Sequence, residues 1–213
     1  MMNEEELRKI IRRIVKEEME PGIPVAVSNH HVHLTEADYK TLFPHEEIAP
    51  RKWLTQPKEY AAKQVVTIVG PTGNEIPHVR VMGPCRKHSQ VEIARSDARQ
   101  LGITVPTRLS GELEGTPSIK VKTDDGEITV QGVIAAKRHI HMSDKDAERF
   151  GVKYGETVEV AIETDGRRTI YDDVIARPNP NFVLEMHIDV DEANAACVGP
   201  DTIGHIVPKD KRV

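Results

Sequence analysis

Between residues 4 and 19 the apolar side chains Leu7, Ile10, Ile11, Ile14, Val15 and Met19 fall among Glu, Lys and Arg. Spacings of three and four residues put them on one face of an amphipathic α-helix, predicted over residues 1–20. Pro21-Gly22-Ile23-Pro24 ends it, because proline cannot extend the helical hydrogen-bond ladder. Such a helix docks on its own protein or on a second subunit, as in a homodimer, or it serves as a detachable partner-binding element on a Pro/Gly linker.

Beyond Pro24 the period shortens to two. Short runs rich in Val and Ile at 25–27, 65–69, 78–82, 91–94, 119–121, 128–130, 133–136, 157–161, 169–175 and 182–188 predict β-strands. Pro71-Thr72-Gly73-Asn74, Asp124-Asp125-Gly126 and Asp165-Gly166 supply turns between them. Strands this short, with polar hairpins and brief helices, favour a mainly β protein made of β-barrels over a doubly wound sheet. No Gly-x-Gly-x-x-Gly or Gly-Lys-Ser/Thr loop is present, so a nucleotide-like ligand must be held by other means.

One unit recurs within this pattern. His31-Val32-His33-Leu34-Thr35-Glu36-Ala37-Asp38 matches His139-Ile140-His141-Met142-Ser143-Asp144-Lys145-Asp146. Each is a strand end of alternating His and apolar residues, then Thr or Ser as helix N-cap, then an acidic residue three positions on that completes the cap or meets the helix dipole. Two weaker copies begin at Glu92 and His187. With Ser96 and Asp191 taken as their capping residues, Glu92 and His187 precede the cap by four residues, as His31 precedes Thr35 and His139 precedes Ser143. Approximate internal symmetry would bring those four ligand-type residues together.

Residues two apart on a strand point to the same side with Cα atoms roughly 6.6 Å apart, a span that two imidazoles can close on one metal ion. A single His-x-His is more often a half-exposed strand, but two pairs in matched register, each opening a capped helix, are hard to attribute to core packing. Up to two zinc ions are expected, one with His31, His33 and Glu92, the other with His139, His141 and His187. Three protein ligands leave a fourth position open, as in catalytic rather than structural zinc sites. The same donors also suit cobalt, iron or nickel. His30 faces the other way, and His45, His78, His88 and His205 have no patterned neighbours. In Gly83-Pro84-Cys85-Arg86-Lys87-His88-Ser89-Gln90-Val91-Glu92 two cations flank a candidate ligand. Arg86 or Lys87 there holds an oxyanionic substrate, the alternative being a solvated turn.

Composition removes competing classes. A length of 213 residues allows one large domain or two small ones. No apolar run approaches the roughly 18 residues of a membrane span, and no secretory core follows the acidic N-terminus. Two cysteines cannot frame a disulfide scaffold, so a cytoplasmic setting without a membrane partner is expected. A net charge of -5 with scattered Lys and Arg argues against nucleic acid as a partner.

Several ordered motifs carry a family resemblance: Val27-Ser28-Asn29-His30-His31-Val32-His33-Leu34, Val79-Arg80-Val81-Met82-Gly83-Pro84, Arg86-Lys87-His88-Ser89-Gln90-Val91-Glu92, Arg138-His139-Ile140-His141-Met142, and Met186-His187-Ile188-Asp189 running on to Asn194. The chain resembles the PduL-type phosphate propanoyltransferase (phosphotransacylase) family of propanediol-utilising bacterial microcompartments, over residues 23 to about 210. The resemblance implies two small β-barrels with short capping helices, split as a central barrel at 45–115 and a second from 21–44 plus 116–213, with a dinuclear zinc site. It implies reversible exchange of acyl-CoA (propanoyl-CoA, or acetyl-CoA) and inorganic phosphate with acyl phosphate and coenzyme A. His31, His33 and Glu92 would hold one zinc, and His139, His141 and His187 the other. Arg86 matches the phosphate-orienting arginine, and Ser28, Lys52, Arg80, Met82 and Asn194 match coenzyme A contacts, Lys52 in a segment that aligns poorly. His30 departs from the Arg common in relatives. The N-terminus resembles the encapsulation peptides of microcompartment cargo, and also helices of relatives outside shells, so both a shell or cargo contact through residues 4–19 and a free cytoplasmic location stay open.

Two rival readings use the same residues. A zinc-dependent hydrolase would send water to a thioester or phosphate ester, and a non-catalytic coenzyme A- or metal-binding module would act through its N-terminal helix. Cys85, beside Arg86, is the one side chain that could support a covalent acyl-enzyme route.

Overall fold

A computed structural model describes residues 5–8 and 22–208. Residues 5–8 are helical, and the rest of the amphipathic segment expected over 1–20 lies outside the described residues. The described chain is mainly β and divides into two compact units, one of Val27–Lys137 with Ile188–Ala193, the other drawn from Met1–Ala26, Arg138–His187 and Asn194–Val213. The expected boundaries at 44/45 and 115/116 fall inside the first of these, because its sheet pairs strands from both sides of them. No described helix is long and apolar enough to cross a membrane.

After β1 (Ile23–Ser28), the first unit contains β2 (His31–His33), α1 (Glu36–Leu42), β3 (Pro50–Trp53), β4 (Tyr60–Val69), β5 (Glu75–Gly83), β6 (Gln90–Glu92), α2 (Arg95–Leu101), β7 (Thr107–Arg108), β8 (Ser118–Lys122), β9 (Glu127–Gln131) and β10 (Val133–Ala136). They form a curled nine-stranded sheet in the order β7-β10-β6-β2-β5-β4-β8-β9, with β3 added on β4. Alternation sets its faces: Val32, Val81 and Val91 are paired neighbours and fully buried, while the residues on either side of each in sequence face the other way. Leu34, Leu42, Ile68 and Leu101 complete the core without exposure, each contributing about 1.5–3 kcal/mol by burial. Thr35 caps α1 by accepting from the Asp38 N–H. Gly102 ends α2 in the left-handed region at φ 69, which a side chain would strain.

In the second unit, β1 joins β11 (His139–Met142), β12 (Thr157–Glu163), β13 (Arg168–Pro178), β14 (Glu185–Asp189) and β15 (Ile203–Ile206) in a closed six-stranded barrel, order β1-β14-β11-β13-β12-β15. Ile23, Ile140, Met142, Val160, Ile162, Val174, Ala176 and Met186 are among its fully buried side chains. Helix α3 (Asp144–Phe150) follows β11, capped by Ser143, whose Oγ accepts from the Asp146 N–H. Helix α4 (Val190–Ala195) follows β14, its residues up to Ala193 belonging to the first unit and Asn194 and Ala195 to the second.

Neither the apolar runs nor the repeated unit predicts three of the strands: β3, exposed throughout, β7, only two residues long, and β15, whose apolar residues Gly204 and His205 separate. Conversely, residues 182–184 do not extend β14. The Phe182 N–H closes a turn on the Asn179 carbonyl, and its ring packs on His141.

Candidate active site

In the first unit β2 runs between β5, parallel to it, and β6, antiparallel. Directly paired residues share a face, so His31 stands beside Arg80 and Glu92, and His33 beside Met82 and Gln90. This polar face backs onto the buried Val32, Val81 and Val91. His31, His33 and Glu92 each offer a ligand atom within 4.8 Å of the others. The closest approaches are 3.5 Å from His31 Nε2 to Glu92 Oε2 and 3.9 Å from His33 Nε2 to Glu92 Oε1.

Hydrogen bonding fixes which atoms face inward. His31 Nδ1 lies 2.8 Å from the Asn29 carbonyl and donates to it, leaving the Nε2 lone pair toward Glu92. Burial, then the nearness of His31 and the charge of Arg86, hold the His33 pKa well below the usual imidazole range, so this ring is neutral and ligand-competent. Its buried Nδ1 has no hydrogen-bond partner among the described residues. Two imidazole nitrogens and a carboxylate in one small volume are a donor set that suits zinc, and a cation there offsets the cost of burying Glu92.

Arg86 is placed by the turn after β5. Its N–H donates to the Leu34 carbonyl at 2.8 Å, Nη1 donates to Ser110 Oγ at 3.1 Å and Nη2 to Glu59 Oε1 at 3.1 Å. The guanidinium is therefore oriented, about one-third exposed, and near enough to His33 to depress its protonation. Lys87 is exposed. Burial, with help from Glu36, raises the Cys85 pKa, which keeps it a thiol rather than a nucleophilic thiolate.

Of the expected coenzyme A residues in this unit, Arg80 and Met82 lie on β5 beside the two histidines, Ser28 ends β1 half-buried, and Lys52 is exposed on β3. Arg80 Nη1 donates to the Ala62 and Lys63 carbonyls at 3.1 and 2.8 Å, where β4 is irregular. His30 faces Asp97, with Nδ1 3.3 Å from both carboxylate oxygens. Burial raises the Asp97 pKa, but the hydrogen bonds from His30 and the Ala94 N–H outweigh it and hold the carboxyl low.

In the barrel unit, β11 carries His139 and His141, and antiparallel β14 sets His187 opposite His139 and Glu185 opposite His141. The three imidazoles cluster, with ring centroids 4.7 Å (His139–His141), 5.1 Å (His139–His187) and 4.8 Å (His141–His187) apart. His187 Nε2 lies 2.8 Å from Glu185 Oε2. Phe182 closes one side at 4.4 Å from the His141 ring. Asn194 is exposed on α4.

The structure corrects the register of the two weaker repeats. Helix α2 starts at Arg95 with Ala94 as N-cap, so Ser96 sits in its first turn. The Asp97 carboxylate accepts from the Ala94 N–H, and a cap without a side-chain oxygen is invisible to a search for hydroxyls. Asp189, not Asp191, caps α4: its Oδ1 accepts from the Glu192 N–H at 2.9 Å, and Glu192 returns a bond to the Asp189 N–H at 3.0 Å. The aligned units are then His31-Val32-His33-Leu34-Thr35, Gln90-Val91-Glu92-Ile93-Ala94, His139-Ile140-His141-Met142-Ser143 and Glu185-Met186-His187-Ile188-Asp189. In each, the second and fourth residues are buried. Gln90 and Glu185, missed by spacing alone, occupy the place of His31 and His139.

A model of the phosphate propanoyltransferase family matches residues 24–199. A phosphate propanoyltransferase of Levilactobacillus brevis is 63% identical over 207 residues, covering 97% of this chain and 99% of the relative. One of Limosilactobacillus reuteri is 58% identical, covering 99% and 100%. One of Thermotoga maritima is 53% identical, covering 88% and 90%. With the matched region spanning both histidine clusters and Arg86, the chain belongs to the phosphate propanoyltransferase family.

Proposed function

We propose that this protein interconverts propanoyl-CoA and inorganic phosphate with propanoyl phosphate and coenzyme A, with two zinc ions per chain, one held by His31, His33 and Glu92 and the other by His139, His141 and His187. The observation that carries the reading is the oriented Arg86 guanidinium beside the neutral, buried His33 and the convergent His31–Glu92 pair. Zinc at such a site would act as a Lewis acid toward the charge that develops on the thioester during acyl transfer.

The chain's own residues do the positioning. Arg86 presents a planar fork that matches two phosphate oxygens, and Ser110 and Glu59 hold that fork before phosphate arrives. Phosphate oxygen attacks the acyl carbonyl carbon, a C–O bond forms, the C–S bond breaks, and coenzyme A leaves as thiolate. No enzyme nucleophile is needed, in line with Cys85 remaining a thiol. Arg80, Met82, Ser28 and Lys52 line the way for coenzyme A in the first unit, and Asn194 is the contact from α4. Acetyl-CoA is a second substrate, since one methylene in an apolar pocket is worth only about 1–3 kcal/mol. Residues 4–19 are the proposed contact for a microcompartment shell.

The test is phosphate-dependent release of coenzyme A from propanoyl-CoA with acyl phosphate as co-product, measured alongside metal content. Coenzyme A release without phosphate, yielding free propanoate, would instead make the protein a hydrolase.

A further inference from the structure

Gln90 and Glu185 stand in the ligand register of the fourfold repeat, yet neither belongs to the metal-binding trios. Gln90 is buried, 2% exposed, directly opposite His33. Its Nε2 donates to Glu92 Oε1 and to Ser110 Oγ, the latter at 2.9 Å, and its Oε1 accepts from the Gly111 N–H at 2.8 Å. Glu185 is the counterpart opposite His141, and its carboxylate meets His187 Nε2 at 2.8 Å. The chemistry is complementary. The third ligand of the first trio is a carboxylate, which a donor orients, and its neighbour two residues back is an amide. The third ligand of the second trio is an imidazole, whose N–H an acceptor orients, and its neighbour two residues back is a carboxylate.

From this we infer that Gln90 and Glu185 are paired positioning residues: Gln90 aims the Glu92 carboxylate and, through Ser110, steadies Arg86, while Glu185 fixes the tautomer of His187 so that Nδ1 carries the lone pair for metal. The inference rests on the metal sites proposed above. Partners of this kind typically set metal affinity by about 10–100-fold. Gln90 is also tied to the arginine, because Ser110 Oγ accepts from both Gln90 Nε2 and Arg86 Nη1. The two residues therefore act alike on metal and differently on phosphate.

The test titrates the metal-stripped full-length protein with Co²⁺ alone, read by its visible absorption and by competition with a chromophoric chelator, followed by phosphate kinetics on each reloaded variant. The wild type is expected to bind two equivalents. Gln90→Met and Glu185→Met should each weaken one binding step by about 10–100-fold and leave the other unchanged. Gln90→Met should also raise the phosphate KM severalfold, whereas Glu185→Met should not. Glu185→Gln, which keeps an acceptor oxygen, should recover the lost affinity. Should Gln90→Met fail to fold, Ser110→Ala takes its place, with a raised phosphate KM expected. Wild-type Co²⁺ affinity in both Met variants would overturn the inference. Failure of Glu185→Gln to recover what Glu185→Met loses would make Glu185 a ligand and overturn its half. A wild-type protein that binds no Co²⁺ would instead remove the metal reading of the proposed function.

Discussion

Replacing Arg86 separates phosphate placement from every other role of the site. Its guanidinium already spends one N–H on Ser110 and one on Glu59, which holds its plane, and it stays about one-third exposed. A hydrogen bond to a charged group is worth about 1.5–3 kcal/mol, and one-third exposure places this residue toward the lower end. Arg86→Lys keeps the charge but presents one bond instead of a fork, a loss of about 1.5 kcal/mol, or roughly tenfold in kcat/KM for phosphate. Arg86→Ala removes both bonds, about 3 kcal/mol, or on the order of 100-fold or more. The assay follows coenzyme A thiol release from propanoyl-CoA while phosphate and acyl-CoA are varied separately. The KM for propanoyl-CoA should stay within about twofold, because no thioester contact is assigned to this side chain. Less than a threefold loss in Arg86→Ala, or an equal rise in the KM of both substrates, would refute phosphate placement by Arg86.

Stripping metal with a chelator should abolish turnover, and adding Zn²⁺ or Co²⁺ should restore it; full activity with fewer than about 0.5 equivalents of metal per chain would end the metal reading. Cys85→Ala should keep most of the activity, since burial keeps the thiol protonated; abolished turnover with an intact fold would force a covalent route. Gly70→Ala should destabilise the protein by about 1–3 kcal/mol, lowering the thermal midpoint by several degrees, because the new Cβ would lie 2.0 Å from the Leu101 carbonyl oxygen. An unchanged midpoint would show that this backbone contact relaxes freely.

Much of the site could be read along the chain because its units are local. A strand end with alternating His and Val or Ile, then a capping Thr or Ser, carries its ligands, its buried face and its helix start within a few residues. Thr35 and Ser143 cap their helices as expected, and His31–His33 and His139–His141 face as the period of two requires. The two weaker copies stand two residues off that register: Ala94 caps α2 through the carboxylate of Asp97 and offers no polar signature of its own, while at α4 Asp189 and Asp191 are both capping types and the hydrogen bonds with Glu192 single out Asp189. Gln90 and Glu185 lie outside the unshifted register, and Glu59 and Ser110 stand 27 and 24 positions from Arg86, beyond the reach of any local pattern.

What the sequence by itself determined was the local content: a mainly β chain, repeated strand-to-helix units, two His-x-His pairs and a cation-bearing turn. These depend on alternation, capping and spacing, which act over a few residues. The tertiary structure alone decided the partners. Antiparallel pairing of β2 with β6 sets Glu92 against His31, and that of β11 with β14 sets His187 against His139. It also decided that strands on both sides of residues 44 and 115 share one sheet while β1 closes the barrel with β14 and β15. Such choices are made by burial and backbone hydrogen bonding summed over distant segments, and no short window of sequence contains that sum.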